Sequence, residues 1–107
     1  LLYLSGFEES WYGVMDVEKE IGIGLAWDKE VFPCIWFWSV YGTFQDYPWW
    51  DRTYVVALEP WTSMPDSFKQ VLKNNQQMKV KGGGQINTKL CAKVITGKND
   101  IHASDLR

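Results

Sequence analysis

A carboxylate at the end of an apolar strand-like run is the most chemically suggestive feature of this 107-residue sequence. Glu59 ends the run 53–59 and is followed at once by Pro60. Proline cannot donate a ladder hydrogen bond, so we expect regular strand pairing to stop at Pro60. Period-two alternation places Glu59 on one face with Val55 and Ala57, whose small side chains leave room above the sheet. Partial burial there would suit the carboxylate to general-base chemistry near neutral pH.

The same carboxylate also has an ordinary structural interpretation. Glu59 can be a solvated residue at a strand end, or it can pair with Arg52 just before the same run. Carboxylates in unusual surroundings concentrate at functional sites, but structural ion pairs produce such surroundings too. The residue types alone leave both interpretations open.

Aromatic residues are the second feature with chemical potential. Seven Trp, five Tyr and five Phe make up 16% of the chain. Five of the seven Trp lie between Trp36 and Trp61, around the candidate carboxylate. Such rings form core, interface or ligand surface, and for each one core packing is at least as well supported as ligand contact.

The remaining reactive groups predict no metal site and no cofactor. Cys34 and Cys91 lie in apolar runs that favour buried free thiols, although a disulfide between them stays open. Neither has His or Cys nearby at metal-ligand spacing. Gly22 and Gly24 lack a third glycine and a following helix, and the 82–84 glycine run lacks a following Lys-Ser or Lys-Thr, so no phosphate loop is predicted.

The elements that must position these residues are mostly strands. A polar turn at 18–20 predicts that the first two runs form an antiparallel hairpin, with Gly at a bulge or tight contact in its second arm. In the third run Trp36 and Trp38 face one side and Ile35 and Phe37 the other, so both faces must be covered or line a pocket. The six predicted strands are Trp11–Val17, Ile21–Trp27, Phe32–Tyr41, Thr53–Glu59, Met78–Val80 and Ile86–Thr96.

One short helix interrupts this pattern. Residues 63–66 resemble a capping box, and Phe68, Val71 and Leu72 then share a helical face. Asn74-Asn75 is a stop signal. The polar residues 98–107 are predicted to form a flexible tail, in which His102 is solvated.

Charge and hydropathy exclude several classes. A formal net charge of −2 offers no general attraction to nucleic acid or to an anionic membrane, and 46% hydrophobic residues exclude disorder. The most apolar stretch, 31–40, is too short for a membrane span and contains Pro33. The N-terminal residues do not read as a signal peptide, so we expect a cytoplasmic location and neither a nucleic-acid nor a membrane partner.

Four segments carry a resemblance to a known family. In chain order they are Gly22–Asp28, Pro33–Trp38, Tyr47–Trp50 and Ala57–Ser63. Their order is similar to that in the C-terminal part of galactose mutarotase-like proteins, the aldose 1-epimerase superfamily. The Leu-Glu-Pro strand end is the most specific piece, and the resemblance extends over roughly residues 10–97.

The resemblance implies a mainly β fold, an antiparallel β-sandwich with one short helix and a sugar site on a concave sheet face. The family interconverts the anomers of an aldose, and Glu59 matches the position of its catalytic base. The expected ligand is a sugar or another small molecule. The residues expected to contact it are Trp36, Trp38, Trp49, Trp50, Arg52 and Trp61. Asp46 and Asp51 flank the aromatic loop and can bond sugar hydroxyls or cap turns.

The family's acid histidine belongs to a segment upstream of this sequence, whose one His is His102. We therefore expect residues 1–107 to be a single domain or the C-terminal portion of one. The rest of a longer chain or a second subunit of a homo-oligomer would complete it. The alternative is a non-catalytic ligand-binding or oligomeric β protein derived from that fold.

Overall fold

The computed structural model describes residues 1–64 and 67–106. Within these residues the predicted class is confirmed: the protein is mainly β, with two antiparallel three-stranded sheets, as in a small β-sandwich, and one short α-helix. The strands are β1 (Leu2–Ser5), β2 (Trp11–Asp16), β3 (Ile21–Trp27), β4 (Cys34–Tyr41), β5 (Tyr54–Trp61) and β6 (Leu90–Thr96). The helix α1 spans Phe68–Lys73, and a 3₁₀ helix spans Ala103–Leu106.

The chain forms two compact units. The first, unit 1, consists of Leu1–Gly6 and Phe32–Met78 and contains the sheet β1-β4-β5. Its most buried side chains, Cys34, Ile35 and Val40, all belong to the central strand β4. A strand that is apolar on both faces is typical of a central position in a sheet, and β4 takes that position between β1 and β5.

The second unit, unit 2, consists of Phe7–Val31 and Lys79–Arg107 and contains the sheet β2-β3-β6. The predicted hairpin is confirmed, because β2 and β3 pair in antiparallel register across the turn at 17–20. The predicted tight glycine contact is also confirmed, since a Cβ atom at Gly24 would overlap the side chain of Leu106. The division into two units leaves the single domain over 1–107 a prediction.

Strand β5 corrects the expectation that pairing stops at Pro60. Pro60 lies opposite Ile35 and Trp61 opposite Cys34, so β5 runs through both residues. β5 pairs with β4 and with no other strand of the described chain. An edge position tolerates proline, because the missing N–H can lie on the side that has no ladder to complete.

Several element boundaries also differ from the prediction. Met78–Val80 forms no strand, and β6 begins at Leu90 instead of Ile86. β1 was not predicted, since four residues flanking no clear turn signal give too short a pattern. The segment predicted as a tail contains the 3₁₀ helix, whose Leu106 is only 3% exposed.

The helix is shorter than the capping pattern suggested. Its N-cap position is Ser67, not Ser63, and Ser67 makes no side-chain cap bond; Pro65 and Asp66 of the predicted capping box lie outside the described residues. Of the predicted helical face, Val71 is buried, whereas Phe68 and Leu72 are exposed. None of the helices formed by the described residues has the length and hydropathy needed to cross a membrane.

Candidate functional site

Glu59 lies on one face of the unit 1 sheet in the middle of a cross-strand row. Its partner on β4 is Trp36, and the partner of Trp36 on β1 is Tyr3. Directly opposite residues of an antiparallel sheet project to the same face, so the carboxylate and the two rings share it. Trp61, two residues after Glu59 on the same strand, also lies on this face.

The rings in this row pack against each other. Trp36 and Trp61 stack with their centroids 4.2 Å apart and an interplanar angle of 16°. Tyr3 meets Trp36 edge to face at 5.6 Å. We call Tyr3, Trp36, Glu59 and Trp61 the aromatic–carboxylate cluster.

Two indole N–H groups fix the orientation of the cluster. Trp61 Nε1 donates to Glu59 Oε2 at 2.9 Å, which holds the carboxylate beside the ring edge. Trp36 Nε1 donates to the backbone carbonyl of Ser63 at 2.7 Å, which attaches the segment after β5 to the sheet face. Both tryptophans therefore combine an apolar ring surface with a satisfied polar atom.

Glu59 is exposed, and so the partial burial expected from its small neighbours was wrong. The ring of Trp61, two residues further along the strand, bonds the carboxylate without burying it, and Trp61 itself is 39% exposed. Within the described residues Glu59 makes no ion pair with Arg52. The carboxylate is consequently an open hydrogen-bond acceptor beside an accessible aromatic surface.

The other predicted ligand-binding tryptophans form a separate group around the 44–52 loop. Trp38 follows Trp36 on the same face of β4 and contacts Trp49 at 5.5 Å between centroids. Trp49 in turn lies 6.4 Å from Phe44. Trp50 meets Tyr47 edge to face at 6.2 Å and is 56% exposed. The structure thus divides the predicted set between the cluster and this loop.

The loop is held by its own backbone. The carbonyl of Asp46 accepts the N–H groups of Trp49 at 2.9 Å and Trp50 at 3.2 Å. The N–H of Arg52 donates to the carbonyl of Trp49 at 2.9 Å. Trp50 and Asp51 have φ angles of 50° and 54°, a left-handed conformation that side chains other than glycine adopt at some cost. The exposed Arg52 side chain therefore stands beside a tightly turned backbone.

A cleft of about 420 Å³ opens in unit 1 beside the end of β1, the start of β4 and the segment that follows β5. This volume lies within the range of about 300–1,000 Å³ that is usual for small-molecule sites. Its polar lining comes from Ser5, Cys34, Thr62, Ser63 and Gln76. We call this cleft the Gln76 cleft, after the lining residue that follows α1.

The thiol of Cys34 forms part of the cleft wall. Its Sγ donates to the carbonyl of Trp61 at 3.3 Å, and burial raises the pKa of the thiol. Cys34 and Cys91 are both free thiols, as predicted; Cys34 is buried, whereas Cys91 is half-buried.

Gln76 reaches the cleft because of the way α1 ends. Asn74 is the C-cap, and Asn75 adopts a left-handed φ of 54°. The N–H of Asn75 bonds the carbonyl of Leu72 at 3.1 Å, and the N–H of Gln76 bonds that of Val71 at 2.9 Å. This pair of bonds is a Schellman motif with asparagine in the position usually taken by glycine. The Asn-Asn stop signal was therefore correct.

The side-chain oxygen Oε1 of Gln76 is buried and has no hydrogen-bond partner among the described residues. Buried polar atoms almost always have a partner, so this one requires an explanation. Gln76 was missed by the sequence analysis, because no residue pattern distinguishes a glutamine after a helix stop from any other polar loop residue. The Schellman motif would have placed its backbone, but only tertiary packing buries its side chain.

Metal chemistry finds no support in the described part of the chain, where no three His, Cys, Asp or Glu side chains converge. Comparison with known proteins supplies no further constraint: no family model, no curated protein and no solved structure matches the chain. The resemblance to galactose mutarotase-like proteins and the site roles that it implies therefore stay predictions.

Proposed function

We propose that unit 1 binds a carbohydrate at the aromatic–carboxylate cluster. The observation that carries the proposal is the exposed ring of Trp61 with its N–H bonded to the exposed carboxylate of Glu59. An aromatic face and an adjacent acceptor oxygen are the two groups that a pyranose requires, one for its apolar C–H side and one for a hydroxyl.

The packing within the cluster supports this role. One face of the Trp61 ring is stacked on Trp36, which restricts the ring and reduces the conformational entropy that binding must remove. The bond from Trp61 occupies Oε2 of Glu59, and no described residue bonds Oε1. A sugar hydroxyl can therefore donate to Oε1 without displacing a protein donor.

Anomer interconversion is the finer part of the proposal. In that reaction Glu59 would remove the proton from the anomeric hydroxyl while a general acid protonates the ring oxygen, so that the ring opens and closes as the other anomer. The support for this role is the resemblance of the Leu-Glu-Pro strand end, together with the position of the carboxylate beside the Trp61 ring.

Binding is tested by titrating the ¹⁵N-labelled protein with D-galactose and D-glucose and following the indole N–H signals. We expect saturable shifts of the Trp61 and Trp36 signals. Glu59→Gln keeps an acceptor oxygen and should bind nearly as well, whereas Trp61→Ala should weaken binding at least tenfold. Trp50→Ala, which removes a still more accessible ring from the 44–52 loop, is the control and should leave affinity unchanged. The absence of any saturable shift would refute the proposal.

Turnover is tested separately by polarimetry on freshly dissolved α-D-glucose and α-D-galactose. If Glu59 acts as a base, the protein accelerates the change in optical rotation above buffer and Glu59→Gln removes the acceleration. Binding without acceleration would leave a non-catalytic carbohydrate-binding protein.

A second candidate, an oligomeric β protein, is favoured by the exposure of β1. All four residues of β1 are exposed, including Leu2 at 61% and Leu4 at 40%. Within the described residues β1 pairs on one side only, with β4. Open apolar edge strands tend to pair with other chains. A solution mass equal to two or more chains supports this candidate, and a monomer mass excludes it.

A further inference from the structure

We infer that unit 2 binds a small zwitterion, an aliphatic amino acid, in a cavity at the end of the β3-β6 ladder. The cavity has a volume of about 480 Å³, within the range of about 300–1,000 Å³ that is usual for small-molecule sites. We call it the Asp28–Lys89 cavity. It is lined by Ala26, Trp27, Asp28, Lys89, Cys91 and Leu106. All of these residues belong to unit 2, so the inference is independent of sugar binding in unit 1.

The strand register explains how two charged residues come to line one cavity. β3 and β6 are antiparallel, and Ala26 is paired with Cys91 near the end of their ladder. Two residues further along, just beyond the last pair, the same register places Asp28 opposite Lys89. Alternation puts these two residues on the sheet face of Ala26 and Cys91, and all four line the cavity.

The two charges in the lining do not pair with each other. Opposite charges at facing positions of a sheet attract one another, yet in the part of the chain that the structure describes neither Asp28 nor Lys89 takes part in an ion pair. The cavity therefore offers a carboxylate and an ammonium at separate points. A zwitterion matches both groups at once, whereas a simple anion or cation would also meet a like charge.

The Asp28 carboxylate is held in place by the turn that follows β3. Its Oδ1 accepts the N–H of Glu30 at 3.0 Å, and the backbone carbonyl of Asp28 accepts the N–H of Val31 at 3.2 Å. No described residue bonds Oδ2, which is left to accept a ligand ammonium. A group fixed in this way binds without an ordering cost. Lys89 is exposed, and its long side chain reaches a ligand carboxylate from the rim.

The remaining lining residues favour an aliphatic side chain on the ligand. Ala26, Trp27 and Leu106 contribute apolar surface, and the Cys91 thiol is only weakly polar. Trp27 and Leu106 are 6% and 3% exposed, so both are packed firmly into unit 2. Covering the part of this surface that faces the cavity would add a hydrophobic contribution to binding.

The experiment titrates the ¹⁵N-labelled protein with L-leucine and with two analogues that each lack one charge. 4-Methylpentanoate is leucine without its ammonium group, and 3-methylbutylamine is leucine without its carboxylate. With leucine we expect saturable shifts of the backbone N–H signals of Asp28 and Cys91. Either analogue should bind about fivefold more weakly or worse, because it loses one charged hydrogen bond. Bound leucine should also slow the alkylation of Cys91 by iodoacetamide and leave the rate at Cys34 unchanged.

Two variants assign each charge to its partner. Asp28→Asn keeps an oxygen for the Glu30 N–H; it should weaken leucine about fivefold or more without weakening 4-methylpentanoate. Lys89→Gln should weaken leucine to a similar extent without weakening 3-methylbutylamine. The matched controls, Asp16→Asn and Lys19→Gln, remove the same charges from an exposed ion pair outside the cavity and should keep wild-type affinity.

The inference is overturned if leucine produces no saturable shift at Asp28 and Cys91, or if either analogue binds the wild type as well as leucine does. It is also overturned if Asp28→Asn or Lys89→Gln retains wild-type affinity for leucine. Unchanged circular dichroism and cooperative unfolding show that a variant's loss concerns binding. The comparison of the three ligands uses the wild type alone, so it decides the question even where a variant folds poorly.

Discussion

The indole N–H of Trp61 donates a 2.9 Å hydrogen bond to the carboxylate of Glu59, two residues earlier on the same edge strand. Alternation along β5 puts the two side chains on one face, and the Trp61 ring is stacked on Trp36 of the neighbouring strand. The bond thus orients the exposed Glu59 carboxylate. The Trp61 ring that donates it is itself restrained by stacking on Trp36. The backbone carbonyl of Trp61 also accepts the Cys34 thiol, so Trp61 contributes both to the cluster and to the pairing of β5 with β4.

The two indole hydrogen bonds in the cluster should differ in their contribution to stability. Trp36→Phe removes the donor to the Ser63 carbonyl from a half-buried ring and should lower the free energy of unfolding by about 0.5–1.5 kcal/mol. Trp61→Phe makes the same chemical change at an exposed bond and should alter stability by less than about 0.5 kcal/mol. Urea unfolding of both variants provides the comparison. Equal losses would show that burial does not determine how much these two hydrogen bonds contribute to the free energy of unfolding.

The predictable part of the fold lay in long apolar runs with clear turns between them. The hairpin β2-β3 was predicted to within one residue at its ends, because two apolar-rich runs flank a polar turn. The strand β1 was missed, since a four-residue strand gains its structure from pairing with β4 and not from its own pattern. The expectation that pairing stops at Pro60 was wrong for a related reason. The effect of a proline on strand pairing depends on whether the strand is central or at an edge, and this is decided by the tertiary structure.

The site was predictable to a smaller extent. Trp36, Glu59 and Trp61 were predicted to belong to one site, and they do share one face of the unit 1 sheet. The register of β4 against β5 that brings them together could not be read from alternation within each strand. The burial of Glu59 was misjudged, because small neighbours on the same strand do not cover a carboxylate at an edge. The buried oxygen of Gln76 was beyond prediction, since nothing local distinguishes it from an exposed amide.

The two free thiols should react at different rates with iodoacetamide. Cys34 is 1% exposed, and burial raises the pKa of its thiol, so little reactive thiolate forms near neutral pH. Cys91 is half-buried and should be alkylated first in the native protein. Mass spectrometry of peptides after timed labelling measures both rates, and labelling in urea should make them similar. Native labelling of Cys34 as fast as Cys91 would contradict the packing of β4.

The end of unit 2 should lose stability in acid through Asp105. A bond from the Lys98 ammonium, followed by one from the His102 backbone N–H at 2.9 Å, holds the pKa of Asp105 below its usual value. A lowered folded-state pKa contributes stability that is fully present above the unfolded value of about 3.9 and is lost as the pH falls through the folded value. The wild type should therefore exceed Asp105→Asn in stability at pH 7.

Urea unfolding of the wild type and Asp105→Asn between pH 7 and pH 2.5 measures this difference. The advantage of the wild type should shrink as the pH falls, because protonation of Asp105 removes the interactions that favour its charged form in the folded chain. Lys98→Gln serves as the second variant and should remove most of the same advantage at pH 7, because it deletes the principal partner. A difference between wild type and Asp105→Asn that stays constant with pH would assign the effect to packing alone.

The contact of Gly24 with Leu106 predicts a coupled pair of substitutions in unit 2. A Cβ at Gly24 would overlap the Leu106 side chain, so Gly24→Ala should lower the free energy of unfolding by about 1–3 kcal/mol. Leu106 is 3% exposed, and Leu106→Ala should cost about 2–5 kcal/mol through the cavity that it leaves. In the double variant the new methyl group occupies part of that cavity, so the combined loss should fall below the sum of the two.

Gly82→Ala is the control for the glycine substitution, because a Cβ at Gly82 would meet no atom within 4 Å and its φ is not positive. Its stability should stay within about 0.5 kcal/mol of the wild type. Urea unfolding of the four variants at pH 7 completes the comparison. Strictly additive losses in the double variant would contradict a direct contact between Gly24 and Leu106.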